Sequence, residues 1–168
     1  LELARAWLGE PLGIAIPPWT RDPQGFYLGG NNMLLSPQAL LRFAEMYRRG
    51  GTYDGRRVLP ASWIAASWTP RVRSRFTGHA YGYGWFIARA GEHPVFYGWG
   101  YGGQMVYVVP DLGLSVVMTS DHTGPSGRNG YVRALHDLLA RGIVVAAARG
   151  NDACLLYTSP SPRDRQKS

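Results

Sequence analysis

Between Tyr81 and Asp121 the chain sets down four strand-like runs, YGYGWFIAR, HPVFYGWG, GGQMVYVVP and LGLSVVMTSD, separated by turn residues. Alternating apolar side chains in such runs line opposite faces of a sheet. The last two runs flank Pro110-Asp111-Leu112-Gly113, a tight turn, so they pair as an antiparallel hairpin. Helical patterns stand on both sides of the meander. LELARAWLGEPLG reads as the end of an amphipathic helix stopped by Gly9 and Pro11. Residues 15–35, rich in Pro, Gly and Asn, read as a long irregular loop, a feature that inside compact domains is often functional. Ser36-Pro37 then opens a helix, with serine as N-cap and proline at the first helical position. Leu40, Phe43, Ala44 and Tyr47 follow at helical spacing, and Gly50-Gly51 ends it. TYDGRRVL carries an Asp-Gly turn signal, and PASWIAASW is a short helix whose Trp63 and Trp68 serve as packing. After the meander, NGYVRALHDLLARGIVVAA predicts a helix with Tyr131, Leu135, Leu138, Leu139 and Ile143 on one face. The class is therefore α+β: an antiparallel sheet covered by a C-terminal helix and preceded by helices and a long loop.

With 168 residues, 45% of them hydrophobic and 17% charged, the chain has room for one modest domain with a real core. That domain is expected over residues 1–150. From about Asn151 the periodicity stops, and CLLYTSPSPRDRQKS follows. Residues 151–168 are read as a non-domain tail, either a translated sequencing adapter or a disordered segment, and are set aside from the fold. Leu1 stands in mid-helix without a methionine, which suggests a piece of something longer. The net charge of +7 comes from arginines scattered mostly singly, with no basic stripe, so no nucleic-acid partner is expected. No apolar run is long enough to span a membrane as a helix. Cys154 is the one cysteine, which excludes an internal disulfide; His79, His93, His122 and His136 are dispersed, so neither a metal nor a cofactor is expected.

The stretch YGWGYGGQ, residues 97–104, raises the question of chemistry. Glycines bunched so tightly mark a backbone that something approaches closely, a substrate on one reading and a packed strand or plain glycine-rich hairpin on the other. Ser36 precedes Pro37 and reads as a cap rather than a nucleophile. No G-x-S-x-G elbow occurs; Gly124-Pro125-Ser126-Gly127 is off-register, although a Ser-His-Asp triad is left open.

Taken in order, GEPLGI, GGNNMLLSPQALLRFAEMYRRGGTYDGRRVL, YGYGWF and GYGGQMVYVVPDLGLSVVMTSD resemble the C-terminal half of the serine β-lactamase-related family. That family includes class C β-lactamases, penicillin-binding proteins, β-lactamase-like carboxylesterases and 6-aminohexanoate-dimer hydrolases. The resemblance covers about residues 1–147 and implies a partial β-lactamase/transpeptidase-like fold. It also implies an acyl-enzyme mechanism built on three motifs: S-x-x-K, a Tyr or Ser relay near an Asn, and a K-T-G-like triplet on an inner strand. The first two are missing. No serine here has a lysine three positions on, the sole lysine is Lys167, and no Tyr-x-Asn occurs. For the third, Trp99-Gly100-Tyr101 stands where K-T-G would sit, and Gly102, or Gly103 after a small shift, would present the oxyanion N–H. Asn31 and Asn32 would shape one wall of the cleft, with simple turn chemistry as the other reading.

Without a Lys or His at the triplet's first position, a neutral ester or amide fits better than a β-lactam. The resemblance thus implies a serine hydrolase portion, of esterase or amidase type, that lacks its nucleophile and the N-terminal half of its own domain, and is inactive alone. Its partner would be a small-molecule ester, amide or β-lactam-like substrate, and its compartment the periplasm or the exterior. A second hypothesis is a non-enzymatic module binding carbohydrate or peptidoglycan through its glycine-interleaved tyrosines and tryptophans.

Overall fold

The computed structural model describes residues 1–121 and 130–149. At its centre six strands run β3 (Val72–Arg73), β4 (Ala80–Tyr81), β5 (Phe86–Ala90), β6 (His93–Gly100), β7 (Gln104–Val109) and β8 (Leu114–Met118), hydrogen-bonded in chain order and antiparallel throughout. A separate two-stranded hairpin, β1 (Thr52–Tyr53) and β2 (Arg56–Arg57), turns through Asp54 and Gly55, both at positive φ, as the Asp-Gly signal predicts. The β7–β8 turn also follows the sequence: Pro110–Leu112 form a 3₁₀ turn, and Gly113 takes a left-handed conformation before β8.

The sheet is covered on both faces, and strand alternation decides which side chain goes where. On one face Phe96, Val106, Val108 and Val117 pack with Ala44, Met46 and Tyr47 of α3 (Pro37–Arg48) and Ile64 of α4 (Ala61–Ser67). Leu12, Ile14 and Ile16 from the N-terminal segment complete that layer. On the other face Val95, Tyr97, Met105, Tyr107 and Val109 meet Leu139 and Val144 of the C-terminal helical segment. That segment runs from α5 (Gly130–Asp137) through a π-helical stretch, Leu138–Ile143, into α6 (Val144–Ala148). α3 begins and ends as its sequence predicts. Ser36 Oγ accepts the Ala39 N–H, while Gly50 and Gly51 donate back to the Tyr47 and Met46 carbonyls.

Four expectations are corrected. The first helix does not stop at Gly9 and Pro11: α1 (Glu2–Ala4) continues through a π-helical stretch, Arg5–Gly9, into α2 (Glu10–Leu12), and ends at left-handed Gly13. The wide turn ahead of Pro11 gives the ring the room that a regular turn denies it. YGYGWFIAR is not one strand but a turn, Gly82–Trp85, joining β4 to β5, with the Gly82 N–H donating to the Trp85 carbonyl. Leu138 is exposed and Val144 is buried, because the π-helical stretch rotates the apolar stripe past its regular position. Trp68 is packing, stacked on Phe96 at 4.0 Å, but Trp63 is 44% exposed. The expectations for the Tyr131 side chain, His122, Gly124–Gly127 and the 151–168 tail lie outside the described residues.

Candidate active site

The glycine-rich stretch forms the end of β6 and the turn into β7. Register pairs Gly98 with Val106, Trp99 with Met105 and Gly100 with Gln104, which leaves Tyr101, Gly102 and Gly103 as the connection. Gly102 and Gly103 are buried at φ 76° and 85°, a region side-chain-bearing residues rarely adopt, while Tyr101 is exposed. The Gly103 N–H donates to the Gly100 carbonyl at 3.3 Å and closes the turn. Gln104 fastens it from outside, its Nε2 donating to the Ser120 carbonyl at 2.6 Å.

Local packing accounts for much of the glycine. A Cβ on Gly98 would lie 2.9 Å from Val106 Cγ1, and one on Gly100 would lie 3.1 Å from the Gln104 Cβ. A Cβ on Gly103 would meet Leu135 Cδ1 at 3.0 Å and Ser120 Oγ at 3.1 Å. The bare backbone therefore makes way for side chains of this chain at three positions, whatever else approaches it. Trp99 sits on the opposite face from Gly98 and Gly100, in the layer under the C-terminal helical segment, 6.2 Å from the Phe86 ring. Trp99, Gly100, Tyr101, Gly102 and Gly103 are thus gathered in one hairpin.

Asn31 and Asn32 lie apart from that hairpin in sequence, in exposed coil ahead of α3. Asn32 takes φ 62°, the left-handed geometry of turn chemistry. A hollow of about 680 Å³ opens between the N-terminal segment and α3, lined by Arg5, Ile14, Ile16, Leu34, Gln38 and Arg42 among others. None of the predicted site residues lines it.

Antiparallel register also sets the turn Gly82–Trp85 beside Gly98–Gly100, since Phe86 opposes Tyr97. On that turn Tyr83 stacks against Trp63 of α4, the rings 5.5 Å apart and 9° from parallel, and the Arg71 guanidinium stands 4.1 Å from the Tyr83 ring.

Under the C-terminal helical segment the structure brings together His79 and His136, two of the histidines expected to be dispersed, with ring centroids 5.7 Å apart. His79 Nδ1 is 2.8 Å from the Tyr97 hydroxyl, and His136 Nδ1 is 3.1 Å from the Tyr107 hydroxyl. Burial, with His79 close by, draws the His136 imidazole down to about 4, against the opposing pull of Asp137. Burial lowers His79 as well, raises Tyr97 to about 12, and raises Tyr107 further with Tyr97 as its neighbour. Fixing the β6–β7 register would have set Tyr97 opposite Tyr107, but nothing in sequence ties His136 to them. Among the described residues no group of three or more His, Cys, Asp or Glu is gathered to hold a metal ion, and no helix is long and apolar enough to cross a membrane.

A family model described as Beta-lactamase matches residues 3–141. Among solved structures, a Bacillus anthracis protein described as a 6-aminohexanoate-dimer hydrolase superposes with a TM-score of 0.61 at 18% identity, over 79% of this chain and 34% of that one. A Bacteroides dorei protein described as a β-lactamase gives 0.58 at 14% identity, over 83% and 50%. At these identities the likeness speaks for the fold. The chain spans a third to a half of the length of these structures. No curated protein matches it.

Proposed function

The chain belongs to the β-lactamase family, and from that premise we propose that it supplies the oxyanion-binding strand and one cleft wall of a serine hydrolase working through an acyl-enzyme. The observation that carries the reading is the β6–β7 hairpin. Its strand pairs with β7 through Gly100 and with β5 as far as Tyr97, and its turn holds two buried glycines at positive φ, so an N–H it presents is held in place before a substrate arrives. Donors fixed in advance need no reorganisation as charge develops on a carbonyl oxygen. Because the Gly103 N–H closes the turn, Gly102 takes the oxyanion role, with Gly100 and Tyr101 beside the substrate and Asn31 and Asn32 on the cleft wall.

Trp99 in the place of a cation favours a neutral ester or amide over a carboxylate-bearing β-lactam. No S-x-x-K occurs in the 168 residues, so the serine and its lysine come from sequence outside them, in the N-terminal half of the same domain. By itself the chain turns over nothing. In an active protein containing these residues, replacing the backbone amide of Gly102 by an ester removes the N–H and leaves the shape. The expected loss is about 10²–10³-fold in kcat with little change in KM. An unchanged kcat overturns the assignment.

The second reading, a carbohydrate or peptidoglycan module, has one observation in its favour. Trp63 and Tyr83 form a near-parallel stack that is 44% and 46% exposed, the kind of surface on which sugar rings lie. Calorimetric binding of peptidoglycan fragments that Trp63→Ala abolishes would support it.

A further inference from the structure

Among the described residues, His136 Nε2 is buried without a hydrogen-bond partner. Buried polar atoms are almost always satisfied, so an orphan on a titratable ring is worth an explanation. Its surroundings come from every element packed there. Tyr107 on β7 meets Nδ1, Tyr97 on β6 lies 4.7 Å ring to ring, and His79, just ahead of β4, lies 5.7 Å away. On its own helix the neighbouring Asp137 is about half exposed, with its carboxylate 3.6 Å from Arg141. Both tyrosines are fully buried, and among the described residues neither His79 nor His136 forms an ion pair with a carboxylate, unlike His93, which meets Asp111 at 2.7 Å.

A proton on His136 therefore places a charge whose Nε2–H finds no acceptor. A proton on His79 places a second charge one ring away. In the protonated ring both nitrogens donate, so the tyrosine hydroxyl facing Nδ1 can then only accept. The same helix turn carries Leu135, which packs where a Cβ of Gly103 would stand. The clasp that holds α5 to the sheet thus also backs the β6–β7 turn.

We propose that His79, Tyr97, Tyr107 and His136 form an acid-released latch: neutral, they fasten the C-terminal helical segment to the sheet, and protonated, they let it lift and loosen the Gly102–Gly103 turn. The sign follows from the neutral form being the one the fold prefers. The unfolded ring takes its proton near 6.5, so the latch is intact above that pH and is lost as pH falls from there toward about 4.

Hydrogen exchange on the full chain tests this, with rates corrected for intrinsic pH dependence. Between pH 7.5 and 4.5, amides at 132–144 are expected to lose at least tenfold protection while β6 and β7 keep theirs. The double variant His79→Gln, His136→Gln is expected to stay flat over the same range. Flat protection in the parent chain, an equal loss in the variant, or sheet and helix opening in one step would overturn the latch. Should the variant not fold, ring signals of His79 and His136 in the parent chain decide: titration well below 6.5 supports it, and titration at or above 6.5 overturns it.

Discussion

At Gly82 the backbone runs so close to the end of α4 that a Cβ would lie 2.1 Å from the Ser67 carbonyl oxygen and 3.0 Å from that of Thr69. Both are main-chain atoms, and the Ser67 carbonyl is already held by the Tyr83 N–H, so neither gives way. Two residues on, Gly84 has φ +79° but open space around its Cα. One cost is steric and the other conformational, and they separate by size. Gly84→Ala is expected to cost about 1–2 kcal/mol, the ordinary penalty of a left-handed alanine. Gly82→Ala is expected to cost more than about 4 kcal/mol, or to prevent folding, because backbone must shift. Urea unfolding of the two variants measures the gap, and equal costs would mean the close approach does not exist. The spelling YGYG marks both positions alike in sequence. Only the position of α4 distinguishes them, so the letters read as part of a strand-like run, and neither the turn nor the glycines' different duties was legible.

Among the elements, those with chemical signals at both ends were readable. α3 has Ser36 accepting from Ala39 at its start and Gly50-Gly51 at its finish, and both were legible as residue types that only caps require. Ser36→Ala is expected to lower stability by about 1 kcal/mol without altering the fold, since one N–H at the helix start loses its acceptor. Thermal unfolding followed by circular dichroism checks this, and a variant as stable as the parent chain would deny the cap its role. The β7–β8 hairpin and the Asp54-Gly55 turn were readable for the same reason. What escaped was phase. β3 and β4 are two residues each, too short for alternation to register, so the edge strand β3 and its neighbour β4 were missed. The π-helical stretches near Pro11 and across Leu138–Ile143 each insert a wider turn, which changes the face on which later residues fall. Hence Leu138 was expected inside and is exposed, while Val144 took the buried place.

On the scale of the whole molecule, the sheet has an apolar layer on each face, and the glycine hairpin stands where the two layers' packing meets. Gly98 and Gly100 face the α3 layer, Trp99 faces the other, and Gly103 rests against Leu135. The candidate site was legible as a stretch, residues 97–104, because its composition is unusual. Its inner logic was not, since the packing reasons for Gly98, Gly100 and Gly103 lie in β7, Ser120 and the C-terminal helical segment, all distant or paired only after folding. On the function proposed above, the hairpin is half of a reaction centre, supplying the oxyanion donor while the activated hydroxyl comes from elsewhere. The most direct measurement is the intact mass of the 168-residue chain after incubation with a fluorophosphonate, which traps serines activated for acyl transfer. The account predicts an unmodified mass at every incubation time. A stoichiometric adduct on any serine of this chain would contradict it.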